Sequence, residues 1–238
     1  MKKFNIAIAA VGIAVVSTSA HAAVVADAVI ADWDLSGMAG TEATQTVNST
    51  AAGVSGTELA RGAGLAGNSG ANSMNTKGWN GEATDYISFG FTVGDGYSVD
   101  LYSLVIGTKA SNTGPGTLGL YYSGDNFSNA LYVFDETSTY TGSTTGYLNS
   151  IVDLTALQGL TGDVEFRIAQ IGDASANGGA TGSSGTFRIA EFYDGANYIN
   201  LELNGVANVA AVPVPASLWL MGSGIVGLAG IARKRRAG

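Results

Sequence analysis

Carboxylates and tyrosines are the side chains of this chain that could do chemistry. Its 238 residues hold no Cys and a single His, so thiolate nucleophiles and Cys-ligated metals are excluded. That histidine, His21, lies in Ala20-His21-Ala22, behind the basic start Met1-Lys2-Lys3 and the apolar run from Phe4 to Val16. This is the charged, apolar, A-x-A order of a secretory signal peptide, with cleavage by signal peptidase expected between Ala22 and Ala23. An uncleaved N-terminal anchor is the alternative, and the short apolar run and the small residues behind it argue against it. Cleavage removes the histidine, so the mature chain can build neither a Ser-His-Asp triad nor a Cys-His pair nor a histidine zinc site.

Two carboxylates held across a sugar could hydrolyse a glycosidic bond. Glu82, Asp85, Glu165, Glu191 and Glu202 are the candidates. Alternation places several of them on solvent faces, so a solvated acidic surface is the plainer reading and no catalytic residue is assigned. Glu165 and Glu191 each have an arginine nearby, Arg167 and Arg188, and read as cross-strand or edge pairs. No cofactor is expected, although a structural Ca²⁺ is left open because hard oxygen ligands suit it. Asp32 and Asp34 on one strand face, with Asp95, Asp125 and Asp173 in Gly-rich turns, are the residues that would supply them. No EF-hand spacing is present, so such a site would be assembled from separate loops.

Ten tyrosines (86, 97, 102, 121, 122, 132, 140, 147, 193 and 198) stand out in a chain with few charges. Exposed rings can stack on sugars, but tyrosines also fill sandwich cores and pair across strands, which is the commoner use. All nineteen acids lie between Asp27 and Glu202, against five bases there, a net −14. So acidic a middle repels phosphate backbones, and no nucleic-acid partner is expected. The glycines of segment 62–70 do not sit between a strand and a helix, so they read as a loop and not as a nucleotide cradle.

The elements that must position these residues are strands. Ile87, Phe89, Phe91 and Val93 alternate with Ser88, Gly90 and Thr92, and Tyr97, Val99 and Leu101 alternate with Ser98 and Asp100. Val164, Phe166 and Ile168 do the same, as do Ile199, Leu201 and Leu203; 29–35, 118–122, 130–134 and 186–192 are shorter candidates. Period-two patterning over short segments, joined by Gly, Ser, Asn, Asp and Thr, predicts antiparallel strands with one buried face. The fold class expected is all-β, an antiparallel β-sandwich of jelly-roll-like type over residues 23–208. Segments 41–80 and 174–185 read as long surface loops, and 156–160 as a single helical turn. The signal peptide spans 1–22 and a separate tail 209–238.

That tail has its own grammar. Pro213-Val214-Pro215 stops any strand, since proline fixes φ and donates no hydrogen bond. Residues 216–232 are uncharged and mostly apolar, at the lower limit for a single transmembrane helix, with Trp219 near the outer end. Arg233, Lys234, Arg235 and Arg236 follow, and such a cluster stays on the cytoplasmic side, which places the domain outside.

A proline box, a short Gly-rich apolar helix and a terminal basic cluster, in that order, resemble the PEP-CTERM sorting signal, and Trp219-Leu220-Met221-Gly222-Ser223-Gly224 resembles a frequent form of its helix start. The namesake Pro-Glu-Pro is replaced by Pro213-Val214-Pro215, a departure that bears on the processing site. The resemblance implies transient passage through the inner membrane of a Gram-negative bacterium, processing by an exosortase, and association with exopolysaccharide and biofilm. The series "YISFGFTVGDGYSVDLYSLVIG", "VDLTALQGLTGDVEFRI" and "GTFRIAEF" is similar to a β-sandwich ectodomain common among such proteins. The reading that follows is a non-enzymatic surface or matrix protein of the cell envelope. A carbohydrate-binding module on a sandwich face is the runner-up, and a carboxylate glycosidase a distant third.

Overall fold

A computed structural model of the chain describes residues 28–209. Sixteen strands follow one another. The first six are β1 (Ala28–Trp33), β2 (Thr44–Gln45), β3 (Ser49–Thr50), β4 (Val54–Arg61), β5 (Ala66–Gly67) and β6 (Ser73–Lys77). Next come β7 (Tyr86–Val93), β8 (Tyr97–Ala110), β9 (Thr117–Tyr122), β10 (Tyr132–Asp135) and β11 (Leu148–Asp153). The last are β12 (Gly162–Gln170), β13 (Thr186–Ala190), β14 (Phe192–Tyr193), β15 (Tyr198–Ile199) and β16 (Leu201–Val209). The larger sheet runs β3-β1-β16-β8-β13-β6-β5, with β11 also on β8; the second runs β10-β9-β12-β7-β4-β2. Every pairing among named strands is antiparallel.

The two sheets face each other across one apolar core, as the alternation requires. Ile87, Phe89, Phe91 and Val93 of β7 and Val164, Phe166 and Ile168 of β12 all point inward and are buried. They meet Trp33, Leu101, Leu104, Ile106, Leu201 and Leu203 from the larger sheet. Trp33 stands edge-on to Phe89 at 5.4 Å, Phe89 stacks on Phe166, and Trp33 Nε1 donates to the Thr57 carbonyl at 2.9 Å, so one side chain spans the sandwich. The expected all-β antiparallel sandwich is present.

Several expectations need correcting. Segment 41–80 is not a surface loop: it supplies β2 to β6 and the buried side chains Leu59, Met74 and Trp79. It escaped the apolar pattern because β6 buries polar residues whose side chains donate to backbone carbonyls. Thr76 Oγ1 donates to the Phe187 carbonyl at 2.7 Å, Asn75 Nδ2 to that of Ser69, and Ser73 Oγ to that of Gly70. Segment 156–160 forms no helix; Leu157 N–H closes a tight turn on the Leu154 carbonyl. Segment 174–185 is irregular as expected, though Ser175 and Ala176 are buried. β16 ends at Val209.

One buried carboxylate had no signal in the sequence. Glu136, in the short 3-10 helix Glu136–Thr139, has no solvent exposure. Its oxygens accept from Thr108 Oγ1 (2.6 Å) and the Ala110 N–H (3.0 Å). Burial pushes its carboxyl above the usual range against the pull of those two bonds.

Candidate functional site

The outer face of the larger sheet is where the fold departs from regularity. Ala190 of β13 sits opposite Gly107 of β8, and Glu202 of β16 sits opposite Val105. β11 holds the other edge of β8, since Val105 and Thr108 pair with it as well. β13 and β16 are therefore one strand course, interrupted where residues 191–201 fall opposite the single position Ile106. The looped-out residues make the β14–β15 hairpin, with Phe192 opposite Ile199 and Tyr193 opposite Tyr198. Asp194 Oδ1 accepts from the N–H groups of Ala196 (2.7 Å) and Asn197 (2.6 Å), and Gly195 adopts φ +100°, a turn that suits glycine.

Three contacts seat this hairpin. It crosses Gly107, where a Cβ would lie 2.4 Å from the Glu191 carbonyl oxygen, so only glycine admits the crossing. Asn149 of β11 pairs reciprocally with the Tyr193 backbone, donating to its carbonyl and accepting from its N–H, both at 3.2 Å. At the exit, Asn200 donates to Asp32 Oδ2 at 2.8 Å. Buried Asp32 also accepts from Asn48 Nδ2 (2.8 Å) and from Ser49 Oγ. Burial pushes its carboxyl up, but the bonds from Ser49, Asn48 and Asn200 outweigh that and hold it below its ordinary range.

Together these anchors build a cleft of about 250 Å³ lined by Tyr147, Tyr193, Tyr198, Asn72, Asn149 and Glu191, with Ala71 and Ala190. The Tyr193 and Tyr198 rings lie 4.9 Å apart at 37°, and the Tyr193 hydroxyl donates to the Gly195 carbonyl at 2.9 Å. Lys109 Nζ stands 4.8 Å from the centre of the Tyr147 ring. All three rings stay open to solvent: Tyr198 is 71% exposed, Tyr147 50% and Tyr193 43%. The Glu191 carboxylate makes no hydrogen bond or ion pair among the described residues, and burial, with the charge of Asp34, pushes it above the usual range. Asn72 accepts from the Gly37 N–H through Oδ1 (2.9 Å), and its Nδ2 has no partner among the described residues.

The other sequence candidates disperse. Glu165 lies on β12 in the second sheet, paired at 2.7 Å with Arg167 two positions along the same strand. That is an ion pair along one strand face, where a cross-strand or edge pair was expected. Glu191 and Arg188 do not pair; Arg188 faces Lys109 across β8 and β13. Asp85 caps the turn before β7, accepting from the N–H groups of Asn80 and Glu82. Glu202 faces Asp32 across β1 and β16, and burial, with that neighbouring charge, raises its carboxyl. Asp34 lies past the end of β1 and accepts from the Ser36 N–H (2.8 Å), while Asp125 accepts from Ser128 and Asn129. Asp95 lies in the turn between β7 and β8, and Asp173 beyond β12. Among the described residues no three of His, Cys, Asp and Glu gather as metal ligands. Of the tyrosines, Tyr122 and Tyr132 pack on the core and Tyr86 lies under the Arg167 guanidinium, so only part of the set is available to a ligand.

Ala20, Ala22 and Ala23, Pro213 to Pro215, residues 216–232 and Arg233 to Arg236 lie outside the described residues. Among the described residues no helix is long and apolar enough to cross a membrane. No curated protein and no solved structure matches the chain. Residues 211–236 match the family described as the PEP-CTERM protein-sorting motif. The chain is thus an exported protein that carries an exosortase sorting signal and is directed through the membrane to the cell surface.

Proposed function

We propose that the protein is a non-enzymatic component of the envelope or exopolysaccharide matrix of a Gram-negative bacterium. The signal peptidase cuts it after Ala22. The residues 216–232 then hold it briefly in the inner membrane, with Arg233 to Arg236 on the cytoplasmic side. An exosortase recognises the Pro213-Val214-Pro215 region, and the sandwich is what remains outside. The observation that carries this reading is the sorting motif at 211–236, directly behind the last strand of an acidic domain. The dispersal of the candidate carboxylates supports a role without catalysis, because the carboxylate route to glycoside hydrolysis needs two such groups flanking one bond. Cell fractionation tests it. The protein is expected in the extracellular polysaccharide fraction and to leave that fraction when polysaccharide synthesis is blocked. Permanent residence in the inner membrane contradicts the proposal.

A second reading, binding of carbohydrate by a sandwich face, is favoured by one specific observation: three solvent-open tyrosines converge on a cleft that also holds the Glu191 carboxylate and Asn72 Nδ2, neither with a partner among the described residues.

A further inference from the structure

We infer that the cleft beneath the β14–β15 hairpin is a saccharide site for neutral hexopyranose units, with Tyr147, Tyr193 and Tyr198 as the stacking platform and Glu191 and Asn72 as the hydroxyl-reading groups. This deepens the carbohydrate-binding reading and rests on it.

The chemistry of the lining selects the ligand. A pyranose presents apolar C–H faces and a rim of hydroxyls. It therefore asks for aromatic rings beside a few polar groups that both donate and accept. Tyrosine rings 4.9 Å apart and tilted by 37° offer a bent surface and not a closed aromatic pair, and the Tyr193 hydroxyl is tied to the hairpin turn, which fixes its ring. Glu191 supplies acceptors for a pair of neighbouring hydroxyls. Asn72 Nδ2 supplies donors, since its oxygen is already committed to Gly37. A cleft of about 250 Å³ is at the small end of ligand sites, the size for a sugar unit and not for a folded partner.

Charge narrows the class further. Glu191 is the single charged side chain in the lining, and Asp34 adds a second negative charge nearby. A uronate or sulfated sugar would bring a third anion into a partly desolvated space with no cation in the lining to meet it. Neutral sugars carry no such penalty. Lys109 stands over the Tyr147 ring and, with Arg188, lines a separate polar hollow. With one carboxylate in the lining, the site is read as holding its sugar without cutting it.

The construction is that of a built site. The hairpin is an insertion in a strand course that would close without it, yet it is anchored at entry, middle and exit by Gly107, Asn149 and Asn200. Rings that are held rigid lose little freedom when they bind.

Affinity gel electrophoresis of the full chain in a sugar-free zwitterionic detergent tests the inference, with galactomannan, β-glucan, dextran and alginate as probes. At least one neutral polysaccharide is expected to retard the protein and alginate is not. Tyr198→Ala and Glu191→Gln are each expected to weaken retardation about tenfold, the size of one good stacking or polar contact. Ile151→Ala, which removes an exposed apolar residue of β11 outside the lining, leaves it unchanged. Tyr198 is 71% exposed, so its truncation does not put folding at risk. Retardation unaffected by Tyr198→Ala and Glu191→Gln overturns the cleft while leaving carbohydrate binding standing. No retardation by any probe removes both. Retardation by alginate alone, lost in Lys109→Ala, moves the ligand to the basic hollow and overturns the neutral-sugar assignment. Release of reducing sugar overturns the non-catalytic part of it.

Discussion

The sorting tail and the sandwich carry information in opposite ways. The tail at 211–236 is read by order alone: prolines, apolar residues, then four basic residues in succession. In the sandwich almost nothing functional is local. The cleft draws Asn72 from beside β6, Tyr147 from just before β11, Asn149 from β11, and Glu191, Tyr193 and Tyr198 from the interrupted strand course. These segments meet because β8 pairs with three partners at once. One region is therefore a contiguous stretch of sequence, and the other draws on particular side chains far apart in it.

Substitutions should separate the two regions cleanly. The largest effect expected is in the tail: replacing Arg233, Lys234, Arg235 and Arg236 by serine abolishes correct sorting, seen as loss of the surface form in fractionated cells. The unfolding transition of the sandwich stays where it was. Conversely Phe166→Ala, which empties a fully buried site stacked on Phe89 and Tyr122, is expected to lower stability by about 3–5 kcal/mol in urea unfolding. The sorting signal of whatever folds stays intact. A smaller loss, about 2 kcal/mol, is expected for Glu136→Ala, because the Ala110 N–H and the Thr108 hydroxyl lose their acceptor in a dry interior.

The smallest effect depends on pH. The folded state holds the Asp32 carboxyl below its ordinary value, so its contribution is fully present above that value and is lost as pH falls through the lower, folded one. Asp32→Asn should therefore cost about 1 kcal/mol near neutrality and progressively less in acid. Glu136 acts in the other direction: its folded value is raised, so the ionised form is disfavoured and its burden on stability eases as pH drops below that value. Urea unfolding at pH 7 and at about pH 2, in wild type, Asp32→Asn and Glu136→Ala, distinguishes the two groups. An Asp32→Asn cost that grows in acid would contradict the hydrogen-bond network around Asp32.

How much of this could be read beforehand also follows the contrast. The tail was legible because its signal is linear. So were β7 and β12, where Ile87 to Val93 and Val164 to Ile168 alternate cleanly between core and exterior. β6 was not, because Ser73, Asn75 and Thr76 are buried with their side-chain donors on backbone carbonyls, and hydropathy treats them as loop. The hairpin was hidden by a coincidence of pattern. Ile199, Leu201 and Leu203 alternate as one strand, yet Ile199 pairs with Phe192 in β14–β15, and β16 starts at Leu201. A local clue was present: Asp194-Gly195 between Tyr193 and Tyr198 is a hairpin turn signal. The meeting of Tyr147 with that hairpin had none, since it depends on Gly107 and on the register of β11 with β8.

The central claim is that the tail is a transient address and the sandwich the lasting product, and intact-mass spectrometry of the protein from cells carrying an exosortase tests it most directly. The account predicts a species that begins at Ala23 and ends near Pro213 to Pro215. A species that still carries Arg233 to Arg236 would contradict it, and would make the chain a permanently anchored membrane protein.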